Sequence, residues 1–123
     1  MVELGDEKVL YAFDKTLEPA LVVPSGTTVR VRTKDCFGNQ VQRPEDELDE
    51  IDWDHINPAT GPIFVESAVP GGALKVTIEA IEFDGQTASC TGEGEGVCGD
   101  RFDAWSTHLC KIDGDELVWD ETL

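Results

Sequence analysis

The chain has 123 residues, of which 26 are Asp or Glu and 9 are Lys or Arg, so its formal net charge is −17 at neutral pH. A polyanion of this kind repels nucleic-acid phosphates and anionic lipid surfaces, which excludes both as expected partners. The length allows one compact domain with a modest core, and residues 1–123 are predicted to form a single domain.

No segment approaches the roughly 18 consecutive apolar residues that a membrane helix needs. The first eight residues are acidic and lack the positive start and apolar stretch of a signal peptide. These features favour a cytoplasmic protein. The acidic residues are spread from Glu3 to Glu121, and the small number of lysines favours a salt-adapted surface over one that is merely acidic.

The charge leads to a first prediction, that the protein becomes more stable as salt is added. The Debye length falls from about 10 Å at 0.1 M salt to about 3 Å at 1 M, so most of the repulsion among surface carboxylates is screened at molar concentration. We expect the melting temperature to rise between low and molar KCl. A melting temperature that stays flat or falls would contradict the salt-adapted interpretation.

Short alternating segments predict a mainly β protein. Taken in chain order, the predicted strands cover residues 8–13, 21–23, 27–33, 63–66, 73–81, 86–91, 105–112 and 117–119. The clearest is 73–81, in which Leu74, Val76 and Ile78 alternate with polar residues. Gly114 lies in a hairpin-like turn between the last two strands.

One short helix is predicted to begin at Pro44, because proline suits the first helical position and the acidic residues 45–47 suit the positive end of a helix. Leu48 and Ile51 would supply its narrow apolar face. Frequent strands with Gly and Pro turns and a single helix are typical of a β-sandwich or a barrel-like domain.

The four cysteines do not form a recognisable metal or redox motif. Cys90 and Cys98 flank a flexible glycine-rich stretch, so a disulfide between them is geometrically open. Their spacing fits neither a zinc ribbon nor a Cys-x-x-Cys motif, and the absence of a signal peptide favours reduced thiols.

Two loops carry candidate functional residues. The first follows the strand at 27–33 and contains Asp35, Gly38 and Gln40, a position where a scaffold presents polar groups to a ligand. Asp35 suits metal binding or orientation of a water, and Gln40 suits hydrogen bonding to an amide. The alternative, which spacing alone favours, is a turn in which Asp35 accepts backbone N–H groups and Gly38 supplies a positive φ.

The second loop is Asn57-Pro58-Ala59-Thr60-Gly61-Pro62, in which two prolines and a glycine restrict the backbone. It suits either substrate positioning or simple connection. His55 lies beside Asp52 and Asp54, where a solvated or capping role is favoured over a metal site, and no serine has a Gly-x-Ser-x-Gly setting. The residues therefore form no self-contained catalytic constellation.

Taken together, the motifs resemble the N-terminal part of the acetamidase/formamidase family. The segments that carry the resemblance occur in the family order and are Glu18-Pro19-Ala20, Val23-Pro24-Ser25-Gly26, Asp35-Cys36-Phe37-Gly38-Asn39-Gln40, Asn57-Pro58-Ala59-Thr60-Gly61-Pro62-Ile63-Phe64-Val65-Glu66 and the run from Ala68 to Val76. One departure is Gly72, where the family usually has Asp after Pro-Gly, so a carboxylate suited to local capping or binding is absent here.

The resemblance implies a β-sandwich and the hydrolysis of short aliphatic amides, formamide or acetamide, to the acid and ammonia. It implies Asp35 as the catalytic group and Gln40, Asn57 and Thr60 as substrate-binding groups. The metal-binding or catalytic motifs of the family, Gly-Gly-Asn-Met-Asp and Asp-x-His-Ala, lie in the later part of its members. A divalent metal is thus an expectation for the complete enzyme, with its ligands unknown.

Three hypotheses follow about the partner. The chain is a small subunit or split half completed by a C-terminal-half partner chain, a non-catalytic β-sandwich binding module, or a truncated homologue with no independent activity. Part of residues 105–119 is expected to lie at an interface, either with the partner chain or with a copy of itself in a homo-oligomer, since this segment carries several large apolar side chains that a small domain has few places to bury. Burial of both tryptophans at one end of the core is the competing interpretation.

Overall fold

The computed structural model describes residues 1–83 and 85–120. Within these ranges the strands are β1 (Val2–Leu4), β2 (Val9–Leu10), β3 (Leu21–Val23), β4 (Val29–Val31), β5 (Ala59–Thr60), β6 (Ile63–Val65), β7 (Gln86–Thr91), β8 (Ser106–Asp113) and β9 (Glu116–Val118). Two single 3₁₀ turns cover Trp53–His55 and Gly99–Arg101. The mainly β prediction is confirmed, and no sheet of the described residues closes into a barrel. None of the helices in these ranges is long and apolar enough to span a bilayer.

The chain divides into two compact units. Unit 1 comprises Met1–Gly38 and His55–Glu79, and unit 2 comprises Asn39–Asp54 and Ala80–Leu123. Each unit is therefore built from two segments that are separated in the sequence. That residues 1–123 form a single domain stays a prediction.

Unit 1 is built from three two-stranded sheets. Strands β1 and β4 pair in parallel, as do β3 and β6, whereas β2 and β5 are antiparallel. The β-branched residues of β3 and β4 favour extended backbone, and between these strands lies a turn in which Gly26 has a φ of 85°. The buried side chain of this unit is Val23, at the end of β3.

Unit 2 contains a three-stranded antiparallel sheet of order β7–β8–β9. The tight connection between β8 and β9 places Asp113 opposite Glu116, and Gly114 adopts a φ of 61°, as a hairpin turn requires. Among the described residues of unit 2, three side chains are fully buried: Val41, Leu48 and Cys110. All four cysteines have free thiols in the structure.

The helix predicted to begin at Pro44 is wrong, because residues 44–51 form turns. The carboxylate of Asp46 accepts the backbone N–H groups of Gln42 and Arg43 at 2.8 and 2.9 Å. A short acidic side chain that bonds to nearby backbone N–H groups competes with helix formation. Leu48 is buried as its apolar character indicated, but its carbonyl accepts the indole N–H of Trp53 at 2.9 Å.

The bond network at Asp46 gives a prediction for acid pH. The guanidinium of Arg43 donates to Asp46 at 2.6 and 3.1 Å, and this bond, followed by the backbone N–H of Gln42, lowers the pKa of Asp46 from 3.8 to about 2. Since the pKa is lower in the folded chain, the stabilisation is fully present above pH 3.8 and is lost as pH falls towards 2.

The measurement is the melting temperature from pH 5 to pH 2 for the wild type and for Asp46→Asn. We expect the substitution to lower the melting temperature at pH 5 and to have little effect at pH 2, where Asp46 itself becomes protonated. Asp49→Asn, at an exposed neighbour, is the matched control. An equal loss at both pH values for Asp46→Asn would show that the ionised carboxylate is not what stabilises the turn.

The strand predicted at 73–81 is also wrong for the described chain, since residues 73–83 belong to no sheet. Leu74, Val76 and Ile78 are 63%, 75% and 73% exposed. Their alternation has the period of a strand, but a strand persists only where a neighbour completes its ladder of hydrogen bonds. No described residue supplies that ladder.

Candidate functional site

The two loops that sequence analysis singled out meet in unit 1. The backbone N–H of Asn57 donates to the carbonyl of Cys36 at 2.6 Å. The hydroxyl of Thr60 donates to the carbonyl of Arg32 at 2.9 Å. These two bonds fasten the second loop along the first, so Asp35, Asn57 and Thr60 lie on backbone segments that contact each other.

The first loop also forms the turn that spacing alone favoured. The N–H of Gly38 donates to the carbonyl of Asp35 at 3.0 Å, and Gly38 has a φ of 67°. Asp35 is half-buried at the start of this turn. The turn fixes the backbone of Asp35 and is compatible with a functional role for its side chain. The catalytic assignment of the carboxylate stays a prediction.

Asn57 has an unusual backbone conformation for a residue with a side chain. Its φ of 53° lies in the left-handed region, which asparagine tolerates better than most residues. This conformation directs the N–H of Asn57 to Cys36 while the residue remains exposed. Residues in sparsely populated backbone conformations are concentrated at functional sites, so this conformation makes Asn57 a candidate site residue.

Gln40 belongs to unit 2, whereas the other three predicted site residues belong to unit 1. Its side-chain amide bonds to the backbone of Asp52 in both directions: Oε1 accepts the N–H at 2.7 Å and Nε2 donates to the carbonyl at 3.2 Å. A substrate amide would compete with Asp52 for these atoms. The assignment of Gln40 to substrate binding stays a prediction, as does that of Asn57 and Thr60.

A hollow beside Thr60 was not anticipated from sequence. It has a volume of about 510 Å³ and lies entirely in unit 1, where its wall consists of Leu10, Phe13, Asp14, Lys15, Leu17, Ala59, Thr60, Pro62 and Ile63. Most of these side chains are apolar, which suits the alkyl end of a small ligand. The hollow thus opens next to the one hydroxyl in the second loop.

Asp14 and Lys15, which belong to the wall of this hollow, lie in a turn that the sequence Asp14-Lys15-Thr16 signals. The N–H and the hydroxyl of Thr16 both donate to Asp14 at 2.7 Å, which is the geometry of an Asx turn. The backbone bond from Thr16, followed by its hydroxyl bond, lowers the pKa of Asp14. Aspartate two residues before threonine is a recognisable turn pattern, although it carries no information about the neighbouring apolar wall.

Both histidines are engaged in aromatic contacts. The ring of His55 packs edge-on against Tyr11 within unit 1, with centroids 4.8 Å apart and an interplanar angle of 82°. Within unit 2, the ring of His108 stacks on Trp119 and its Nε2 lies 2.7 Å from the carbonyl oxygen of Trp119. These contacts give each histidine a packing role.

The described residues do not fit a metal site by themselves. Across residues 1–83 and 85–120, no three His, Cys, Asp or Glu side chains are grouped so that they could hold a metal ion. Zinc sites take at least three protein ligands in most cases. The described residues alone therefore do not supply the ligands of a zinc site.

Comparisons with known proteins agree with the order of these motifs. Residues 5–110 match the model of the Acetamidase/Formamidase family. A predicted acetamidase/formamidase from the thermophile Thermoanaerobacter tengcongensis is 42% identical, with a TM-score of 0.92 over 99% of this chain and 40% of that one. An acetamidase from Bacillus halodurans is 32% identical, with a TM-score of 0.84 over 99% of this chain and 41% of that one.

No curated protein matches the chain. The chain spans about two fifths of the length of the solved structures that it resembles. The family match nevertheless covers most of the present sequence, including both loops of the candidate site. The chain belongs to the acetamidase/formamidase family.

Proposed function

We propose that this chain forms part of a hydrolase of short linear amides, which converts formamide or acetamide and water to the carboxylic acid and ammonia. Family membership over residues 5–110 is the observation that carries the proposal. The remaining catalytic groups come from a C-terminal-half partner chain equivalent to the rest of the relatives' length. This chain supplies one wall of the substrate site.

Asp35 acts as the general base in this proposal. Hydrolysis requires a water that loses a proton as it attacks the amide carbonyl, and a fixed carboxylate can take that proton. The turn closed by Gly38 and the bond from Asn57 to Cys36 hold the backbone that follows Asp35, and the bond from Thr60 to Arg32 holds the backbone before it. This restraint supports a defined position for the carboxylate relative to the substrate.

Thr60 and Asn57 orient the substrate. The hydroxyl of Thr60 donates its proton to the carbonyl of Arg32, so its oxygen can still accept a hydrogen bond. In this proposal it accepts from the NH₂ group of a primary amide, while the apolar wall of the hollow suits the methyl group of acetamide. The side-chain amide of the exposed Asn57 can donate to the substrate carbonyl oxygen, where negative charge develops.

The experiment is a chimera that joins residues 1–123 to the part of the T. tengcongensis protein outside the 40% that this chain matches. We expect the chimera to release ammonia from formamide or acetamide and the isolated chain to release none. Asp35→Asn in the chimera should lower kcat by about 10²- to 10⁴-fold, the usual contribution of a general base.

Asp49→Asn in the chimera makes the same chemical change at an exposed position outside the loops and should leave the rate unchanged. Ammonia release by the isolated chain would contradict the need for a partner. A chimera that folds and releases no ammonia would overturn the proposed function and favour the non-catalytic binding module.

A further inference from the structure

Residues 73–79 of unit 1, the docking segment, have the sequence of a strand without a strand's neighbours. Leu74, Val76 and Ile78 alternate along the segment with Ala73, Lys75, Thr77 and Glu79. All seven residues are exposed. A period of two places the three large aliphatic side chains on one face of an extended segment.

The backbone of the docking segment is equally unpaired. It belongs to no sheet, and its N–H and C=O groups form no backbone hydrogen bond with another described residue. Unpaired backbone groups beside exposed apolar side chains are a template for pairing with another strand. Soluble proteins normally protect such a segment with proline, charge or a covering element. The charged residues of this segment, Lys75 and Glu79, alternate with the apolar residues and do not interrupt their face.

Charge favours a different polypeptide over a second copy as the occupant. Two copies would each bring a net charge of −17, and like-charge repulsion opposes their association at moderate salt. In the solved relatives, in contrast, about three fifths of the chain lies outside the part that this sequence matches. That remainder is the polypeptide available to cover the docking segment.

We propose that the docking segment pairs, by addition of a β-strand, with a strand of the C-terminal-half partner chain. The inference rests on the proposed function and deepens it by locating the contact. The partner strand supplies backbone hydrogen bonds along 73–79, and apolar side chains that cover Leu74, Val76 and Ile78. Alternate residues of an added strand enter pockets, which gives the contact its specificity.

The probe is the part of the T. tengcongensis protein outside the matched 40%, produced as a separate chain. Its dissociation constant is measured with this chain at 0.1 M and at 1 M KCl. We expect Val76→Lys combined with Ile78→Lys to weaken binding by about 100-fold or more, as loss of central apolar contacts does. Ala73→Lys combined with Thr77→Lys adds the same charge on the opposite face of the extended segment, and it should change binding less than about threefold.

Proline variants test the backbone pairing itself. Successive N–H groups of a strand point to opposite edges, so only one of Val76→Pro and Thr77→Pro removes a bond to a partner at one edge. We expect one of the two to weaken binding at least about tenfold more than the other. Partner binding through the docking segment would be contradicted if both proline variants and the double lysine variant bound like the wild type.

Strand pairing through the docking segment and the amidase function can be contradicted separately. Binding that is unaffected by the variants, together with ammonia release by the mixture, would overturn the docking segment alone. Absence of binding by the wild type, together with an inactive chimera, would overturn the proposed function as well. Dimers of the isolated chain that the double lysine variant abolishes would identify a second copy as the occupant and contradict the proposed partner.

Discussion

Replacement of Leu48 by alanine is expected to lower the free energy of unfolding by about 2–5 kcal/mol, the range seen when a large aliphatic side chain is removed from a core. Leu48 is 1% exposed, and it is one of four buried hydrophobic side chains in the described chain. With so few buried groups, no neighbour can readily take over its contacts. The loss is comparable to the whole stability of a marginal domain.

Leu74→Ala provides a control with the same chemical change at a side chain that is 63% exposed. It should alter the free energy of unfolding by no more than about 0.5 kcal/mol. Urea titration monitored by far-UV circular dichroism measures both, and tryptophan fluorescence reports separately on unit 2, where Leu48, Trp53 and Trp105 lie. Equal effects of the two substitutions would mean that Leu48 is not a core residue in solution.

Gly92→Ala is expected to destabilise unit 2 by about 1–3 kcal/mol through overpacking. A Cβ atom at position 92 would overlap the indole of Trp105, with Cδ2 of the ring only 2.5 Å away. The ring would have to move, although it packs against Trp53 with centroids 5.9 Å apart. Near-UV circular dichroism should report the disturbed pair, and urea titration the loss of stability.

The cause can be isolated with a second substitution. In a Trp105→Ala background the overlap is absent, so Gly92→Ala should have almost no cost there. A cost that persists without the indole would place the origin in the backbone of residue 92 and contradict the packing explanation. Gly92 has no positive φ in the structure, which leaves the indole as the expected cause.

Strands were predictable where local pattern and turn chemistry agreed. Residues 21–23 were placed correctly between Pro19 and the turn at Pro24, and the hairpin at Gly114 was located from its turn residues. The failures came from interactions that periodicity does not encode. The carboxylate of Asp46 bonds to the backbone at Gln42 and Arg43 in place of a helical start, and residues 73–81 have no described neighbour to pair with.

The candidate site was predictable in part for the same reason. Motif order placed Asp35, Asn57 and Thr60 in two loops, and the structure joins those loops through Cys36 and Arg32. These joining bonds involve backbone carbonyls, which carry no sequence signal. The reciprocal bonds between Gln40 and Asp52, and the apolar wall beside Thr60, likewise depend on tertiary placement.

The pairing pattern has a consequence for the order of folding. The hairpin of β8 and β9 joins residues three positions apart, Asp113 and Glu116, whereas the parallel pairs join Val2 to Val29 and Leu21 to Ile63. The entropy lost on closing a loop grows with its length, and pairings distant in sequence form slowly. The hairpin therefore closes in microseconds and precedes the pairing of β1 with β4, which must close the longer loop that contains β2 and β3.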